Sequence, residues 1–372
     1  MLEVADVFRR FAGAYLSRHN GALLPSHQRA IRDIMACRTP ALGGHVYRCD
    51  QCGHEIFAWH SCKNRSCPKC HTAQTRLWLE KRQAQMLPVP YFHITATIPE
   101  ELRANCRANQ RELYALLMRA TAEAILELAG DPRYCGGTVG ILAVLHTWTQ
   151  QLHYHPHVHC LVTGGGVAEE GALWLASGRK FFVPVRALSR LIRGKFRAGL
   201  EQHCPDLAVP SGTWRHAWVV HCVPWANGER GVLDYLARYA FRVALTNCRI
   251  TALDDEYVSF RYKDRSHNRW SICRLTGEEF LRRFLQHVLP RGLHKVRYFG
   301  LWHPYKHPEL ERVRSTLQLE TSRAATPSTD CNTTADQAKH KSQVHAGAPC
   351  PHCRQGHLQH VCELPRPTAR SP

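Results

Sequence analysis

Gln150-Gln151-Leu152-His153-Tyr154-His155-Pro156-His157-Val158-His159-Cys160 holds four histidines within seven residues and runs on as Leu161-Val162-Thr163. In a β-strand, side chains at i and i+2 point to the same face. His157 and His159 therefore project together, while Val158 turns to the opposite face and the core. Two imidazoles presented side by side from a rigid strand supply two-thirds of a metal site. The chain on either side of this strand decides what such a site serves.

Upstream, Tyr91–Ile98 alternates and is rich in β-branched and aromatic residues, which predicts a strand. Acids open a helix after Pro99, Glu112–Leu128 is a long amphipathic helix, and Thr138–Trp148 is a second strand leading into the histidine stretch. Downstream, Gly164-Gly165-Gly166 turns the chain and a short strand is expected at 172–175. A basic amphipathic helix follows over 184–203, a candidate DNA contact, and then a strand over 214–223. The spacing predicts a helix over 231–247 with Tyr235 and Tyr239 four apart on one face, roughly 6 Å apart at Cβ. Arg238 and Arg242 bring positive charge to the same region. Short strands at 249–252, 257–262, 270–275 and 295–300 and a helix from Thr276 complete an α+β pattern with a largely antiparallel sheet.

Nearer the N-terminus, apolar positions at helical spacing (Val4, Val7, Phe8, Phe11, Tyr15) predict a packing helix, and a second is expected around 27–37. Two C-x-x-C pairs follow, Cys49/Cys52 and Cys67/Cys70, separated by fourteen residues. Each pair forms a tight knuckle, and four thiolates give the closed tetrahedral geometry of structural zinc. Cys62, His60 and His71 are alternatives for one of the four. Pro88-Val89-Pro90 breaks the helix expected over 72–87. At the other end, residues 317–349 are rich in Thr, Ser, Ala and Gln, the composition of a disordered linker. Cys350 and Cys353 then form half a zinc knuckle, with Cys331, Cys362, His357 and His360 as candidates to complete it. These boundaries predict N-terminal helices and a zinc domain over 1–88, a catalytic domain over 89–303, and a flexible basic tail over 304–372.

The chain has 372 residues, 49 Lys and Arg against 30 Asp and Glu, and a formal charge of +19. That excess favours a polyanionic partner. The first residues lack a signal peptide's basic and apolar regions, and no stretch approaches the ~18 apolar residues of a membrane span. A soluble cytoplasmic protein is expected, associated with the nucleoid when bound to DNA. Seventeen cysteines in a reducing compartment point to metal rather than disulfides.

The order of these parts fits phosphodiester transesterification. A tyrosine oxygen attacks a DNA phosphate, and a divalent ion on the histidines acts as Lewis acid. His157-Val158-His159 resembles the His-hydrophobic-His motif of HUH single-strand endonucleases. Tyr235-Leu236-Ala237-Arg238-Tyr239 resembles the two-tyrosine motif of their rolling-circle transposase branch. Asn64–Cys70 and His146–Gln150 also resemble segments of that family's insertion-sequence transposases, and the likeness spans about residues 10 to 300.

The resemblance implies an HUH core, an antiparallel sheet flanked by helices, behind a small zinc-binding domain with four cysteine ligands. It implies nicking of single-stranded DNA at element ends through a 5′-phosphotyrosine on Tyr235 or Tyr239. It further implies Mg²⁺ or Mn²⁺ on His157 and His159 with a third polar ligand, for which Gln150 is the candidate. His153, His155 and an oxygen from the tyrosine helix are its rivals. Arg238 and Arg242 are candidate DNA contacts, and structural Zn²⁺ is expected at the N-terminal cysteines. Two other classes stay open: a zinc-dependent regulator without catalysis, and a metallohydrolase that activates water. Neither needs the Tyr-x-x-x-Tyr helix.

Overall fold

The computed structural model describes residues 2–19, 21–70, 85–168, 173–227, 232, 239, 243–264, 266–324 and 344–367. The fold is mixed α/β and built on antiparallel sheets. Its centre is a sheet of six strands: β3 (Pro90–Thr97), β4 (Thr138–Trp148), β5 (Tyr154–Val167), β6 (Trp174–Ala176), β7 (Val220–Asn227) and β11 (Val296–Gly300). The order is β11-β4-β5-β3-β7, with β6 pairing on β5. The β5 strand runs for fourteen residues and is buried on both faces along most of its length, as a central strand must be.

Strand alternation divides β5 into two faces. Val158, Cys160 and Val162 join Ile94, Ala96, Ala143 and Leu145 in one apolar cluster. Two helices, α3 (Gln110–Gly130) and α4 (Val185–His203), cover that face with Leu113, Leu117, Ile125, Leu188, Ile192 and Phe196. The basic helix expected over 184–203 is therefore present, but on the layer opposite the histidines. On the other face, Leu142, Val144 and Leu161 pack under Leu310, Val313 and Leu317 of a C-terminal helix, His307–Ala324. The same face ends in His146, His157 and His159, so a single surface passes from apolar core to imidazole cluster along the strands.

A second core joins the N-terminal helices, α1 (Val4–His19) and α2 (Pro25–Ala36), to α5 (Gly277–Leu285) and a three-stranded sheet. That sheet is β8 (Ile250–Leu253), β9 (Tyr257–Asp264) and β10 (Arg269–Thr276), in the order β10-β9-β8. Val4, Val7, Phe8 and Tyr15 of α1 are buried at the expected helical spacing, with Phe8 edge-on to Phe284 at 5.2 Å. The Thr276 hydroxyl caps α5 by accepting from the Glu279 amide, next to acids that suit the positive end of the helix dipole.

The third sheet departs from expectation. Its strands are β1 (Gly44–Cys49), β2 (Glu55–Trp59) and β12 (Leu358–Leu364), in the order β12-β1-β2. The segment expected to be a flexible tail thus forms a helix over 307–324 and, at 358–364, an edge strand of the N-terminal cysteine unit; residues 325–343 lie outside those described. The strand expected from 214 begins at Val220, because Ser211–Trp214 forms a 3₁₀ turn instead. Among the described residues no helix is long and apolar enough to cross a membrane.

Candidate active site and metal centres

The register of the central sheet assembles the imidazoles. His157 lies opposite His146 on β4 and Thr97 on β3, while His159 lies opposite Val144 and Thr95. One nitrogen from each of His146, His157 and His159 falls within 4.8 Å of the others. His146 and His159 are buried and His157 is half-buried. A backbone carbonyl can only accept, so its bonds set the tautomers. His157 Nδ1 donates to the His155 carbonyl at 2.7 Å, which makes Nε2 its lone-pair nitrogen. His146 Nε2 donates to the Tyr239 carbonyl at 2.8 Å, so its lone pair sits on Nδ1. His159 Nδ1 is 2.9 Å from His93 Nε2 and 3.2 Å from the Thr95 hydroxyl. Each ligand candidate is thus oriented by an outer partner, the usual arrangement around a bound metal.

The side chain that the sheet groups with His157 and His159 is His146 rather than Gln150. Gln150 lies past the end of β4, in the turn between the two strands, so strand alternation no longer places it on the histidine face. Its turn is held through the backbone. Arg249 donates to the Gln150 carbonyl, Arg283 to the Gln151 carbonyl at 3.1 Å, and His287 Nε2 to the Leu152 carbonyl at 3.2 Å. Leu152 has φ +63°, a left-handed conformation costly for a branched side chain, and these bonds hold it there. The two rivals sit outside the triad. Arg103 donates to His155 Nδ1 at 3.3 Å, and burial followed by the Arg103 charge lowers the His155 pKa. His153 is exposed beside Arg283.

Of the two tyrosines, Tyr239 is described and helical. Its ring centroid is 4.4 Å from His159, 5.2 Å from His93, 5.9 Å from His146 and 5.9 Å from Trp225. Tyr235, Arg238 and Arg242 lie outside the described residues. His93 and Trp225 extend the site beyond what the sequence reading singled out. His93 was legible only as one position of an alternating strand, and nothing local marks it as a neighbour of His159, sixty-six residues away.

The cysteines form two clusters rather than one. Cys67 and Cys70 join Cys37 and Cys62, whereas Cys49 and Cys52 join Cys350 and Cys353. The single site expected from Cys49, Cys52, Cys67 and Cys70 is corrected accordingly. The two knuckles face different partners, one the end of α2 and the other the C-terminal segment. Tetrahedral zinc at a Zn–S distance of about 2.3 Å sets its sulfurs about 3.8 Å apart. The observed Sγ separations are 3.5 Å for Cys37–Cys70, 3.4 Å for Cys62–Cys70, 3.7 Å for Cys49–Cys353 and 3.8 Å for Cys52–Cys350. The Gly356 amide leads the shift that brings Cys353 to about 6. Four cysteine sulfurs at close to this spacing suit each cluster to structural zinc.

Comparison with known proteins places the chain in a family. A family model described as "Transposase zinc-binding domain", of the IS91 type, matches residues 7–98, and one described as "Putative transposase" matches residues 140–310. The chain is 43% identical over 337 residues to "Putative transposase y4qJ" of Sinorhizobium fredii, covering 85% of this chain and 84% of that one. It is 27% identical over 303 residues to "Transposase for insertion sequence element IS801" of Pseudomonas savastanoi pv. phaseolicola, covering 75% and 71% of the two chains. No solved structure matches it.

Proposed function

The chain belongs to the IS91-type family of insertion-sequence transposases, and from that premise we propose that it nicks and transfers single DNA strands through a covalent phosphotyrosine. The observation that carries this reading is the Tyr239 ring lying against a cluster of three oriented imidazoles. The phenol oxygen of Tyr239 or Tyr235 attacks phosphorus at the element end. The P–O3′ bond breaks, the 5′-phosphate stays on the tyrosine, and the leaving oxygen takes up a proton to give a free 3′-OH. Because the phosphoester is kept on the protein, a 3′-OH elsewhere can reverse the step and join a new strand without ATP.

His146, His157 and His159 would hold a divalent ion that polarises the scissile phosphate as a Lewis acid. Mg²⁺ takes oxygen ligands by preference, so a three-nitrogen donor set shifts the choice between Mg²⁺ and Mn²⁺ toward Mn²⁺. His93 and Thr95 position the His159 ring from behind. The turn at Gln150–Leu152 fixes the approach of β5. Arg238 and Arg242, on the tyrosine segment, would neutralise phosphate charge.

The test is incubation of the protein and Mn²⁺ with single-stranded DNA carrying the element end. A covalent protein–DNA adduct that survives SDS is expected, and Tyr235→Phe/Tyr239→Phe should abolish it. Nicking with no adduct would favour water activation by the same histidines and defeat the transesterification reading. An undiminished adduct in the double variant would defeat the tyrosine assignment.

A further inference from the structure

The N-terminal sheet carries a third group of potential metal donors, separate from both thiol clusters and from the active-site histidines. His45 on β1, His60 just after β2 and Glu363 on β12 each place one donor atom within 4.8 Å of the others. The topology explains the meeting. His45 is the register partner of Glu363 across one ladder and of Ala58 across the other, and His60 follows Trp59, the last residue of β2. The backbone holds His60 at both ends: its amide donates to the Gly43 carbonyl at 2.9 Å, and its carbonyl accepts from the Arg38 amide at 3.1 Å. Gly44 sits so close to β2 that an added Cβ would lie 2.7 Å from the Ala58 carbonyl oxygen.

The imidazole chemistry narrows the choice. His60 Nδ1 donates to the Leu42 carbonyl at 3.2 Å, which puts the His60 lone pair on Nε2. That Nε2 faces His45 Nε2 at 3.1 Å. On the other side of the ring, His45 Nδ1 lies 3.3 Å from His360 Nε2. When His45 donates to His360 it presents a second lone pair to His60, with a carboxylate alongside. Two nitrogen lone pairs and an oxyanion are a donor set for a cation. Tetrahedral zinc with Zn–N of about 2.05 Å separates two nitrogens by about 3.3 Å, close to the spacing observed. The alternative is a neutral proton relay, His360 to His45 to His60, with no ion.

We propose that His45, His60 and Glu363 bind a zinc-class divalent ion, with His360 fixing the His45 tautomer. Glu363 is exposed, so the fourth coordination position faces solvent and takes water or an exchangeable ligand. Because the donors come from β1, from the residue after β2 and from β12, the ion fastens the C-terminal strand to the N-terminal unit.

The experiment uses full-length His157→Ala/His159→Ala protein, brought to the two zinc ions per chain that its two thiol clusters take and no more, titrated with Co²⁺ and followed by visible absorption. One equivalent of Co²⁺ should bind with weak d–d bands and no sulfur charge-transfer band. His60→Gln and, at the exposed position, Glu363→Gln should each weaken that uptake by at least about tenfold, with thiol-bound zinc unchanged. Uptake unaffected by either substitution, or none at millimolar Co²⁺, would overturn the site in favour of the neutral relay.

Discussion

At the scale of single residues, the site turns on which side chain completes the His157–His159 pair. That pair was legible because two-residue periodicity is local. The place of His146 beside them was not, because it depends on cross-strand register: His146 meets His157 only once β4 and β5 are paired. Gln150 carried a plausible polar group, yet its placement assumed that β4 continued past Trp148, and the strand stops there. The two residues therefore make opposite predictions. His146→Ala removes a donor whose ring is aimed by the Tyr239 carbonyl, and should cut Mn²⁺-dependent nicking by roughly a hundredfold. Gln150→Ala keeps the carbonyl that Arg249 holds, and should change the rate less than about threefold. Initial rates on one element-end oligonucleotide decide between them, and the reverse ranking would return the third position to Gln150. His93→Ala removes the partner of His159 Nδ1, so a loss of about tenfold, recovered in part by raised Mn²⁺, is expected.

At the scale of elements, most of the central strands and helices fall within a few residues of their expected spans, because their patterns are long and strongly periodic. The errors concentrate where a partner is distant in sequence. The two C-x-x-C knuckles read as one zinc site because they are the nearest pairs in the chain, but sulfur geometry, not proximity in sequence, selects the set. Cys350 and Cys353 reach Cys49 and Cys52 across some three hundred residues, which no local pattern announces. The consequence is measurable. Cys350→Ser/Cys353→Ser should lower bound zinc by one equivalent per chain and leave the Cys37–Cys62–Cys67–Cys70 ion in place. The loss should also free β12 from β1, seen as faster amide exchange over residues 44–49 and 358–364. Unchanged zinc content would show that the C-terminal pair is not a ligand pair.

At the scale of the whole molecule, the histidine strand is joined to the N-terminal unit through buried contacts whose protonation links stability to pH. His287 at the end of α5 lies between Thr147, whose hydroxyl is 3.1 Å from its Nδ1, and the Leu152 carbonyl. Burial brings its pKa down to about 3, and burial with the Arg107 charge brings that of His27, on α2, to about 4. Both rings are thus neutral in the fold at pH values where the unfolded chain already binds a proton. Above the ordinary histidine pKa of about 6.5 neither state is protonated and the two groups add no pH dependence. Below it the unfolded state takes up protons that the fold refuses, so stability falls as pH falls, down to the folded values. Between pH 7.5 and 5.5 the cost is about 1.4 kcal/mol for each histidine. The carboxylates lowered by their partners, such as Glu279 at about 2 beside Arg282, lose their contribution only below their unfolded pKa of about 4.5, and so do not enter this window. Urea midpoints at the two pH values, with zinc content measured alongside, should show the drop. In His287→Gln the protein is less stable at both pH values, but the pH difference shrinks by about 1.4 kcal/mol. A pH difference that persists in full in that variant would place the titrating groups elsewhere and remove His287 as the proton-excluding joint between the histidine turn and α5.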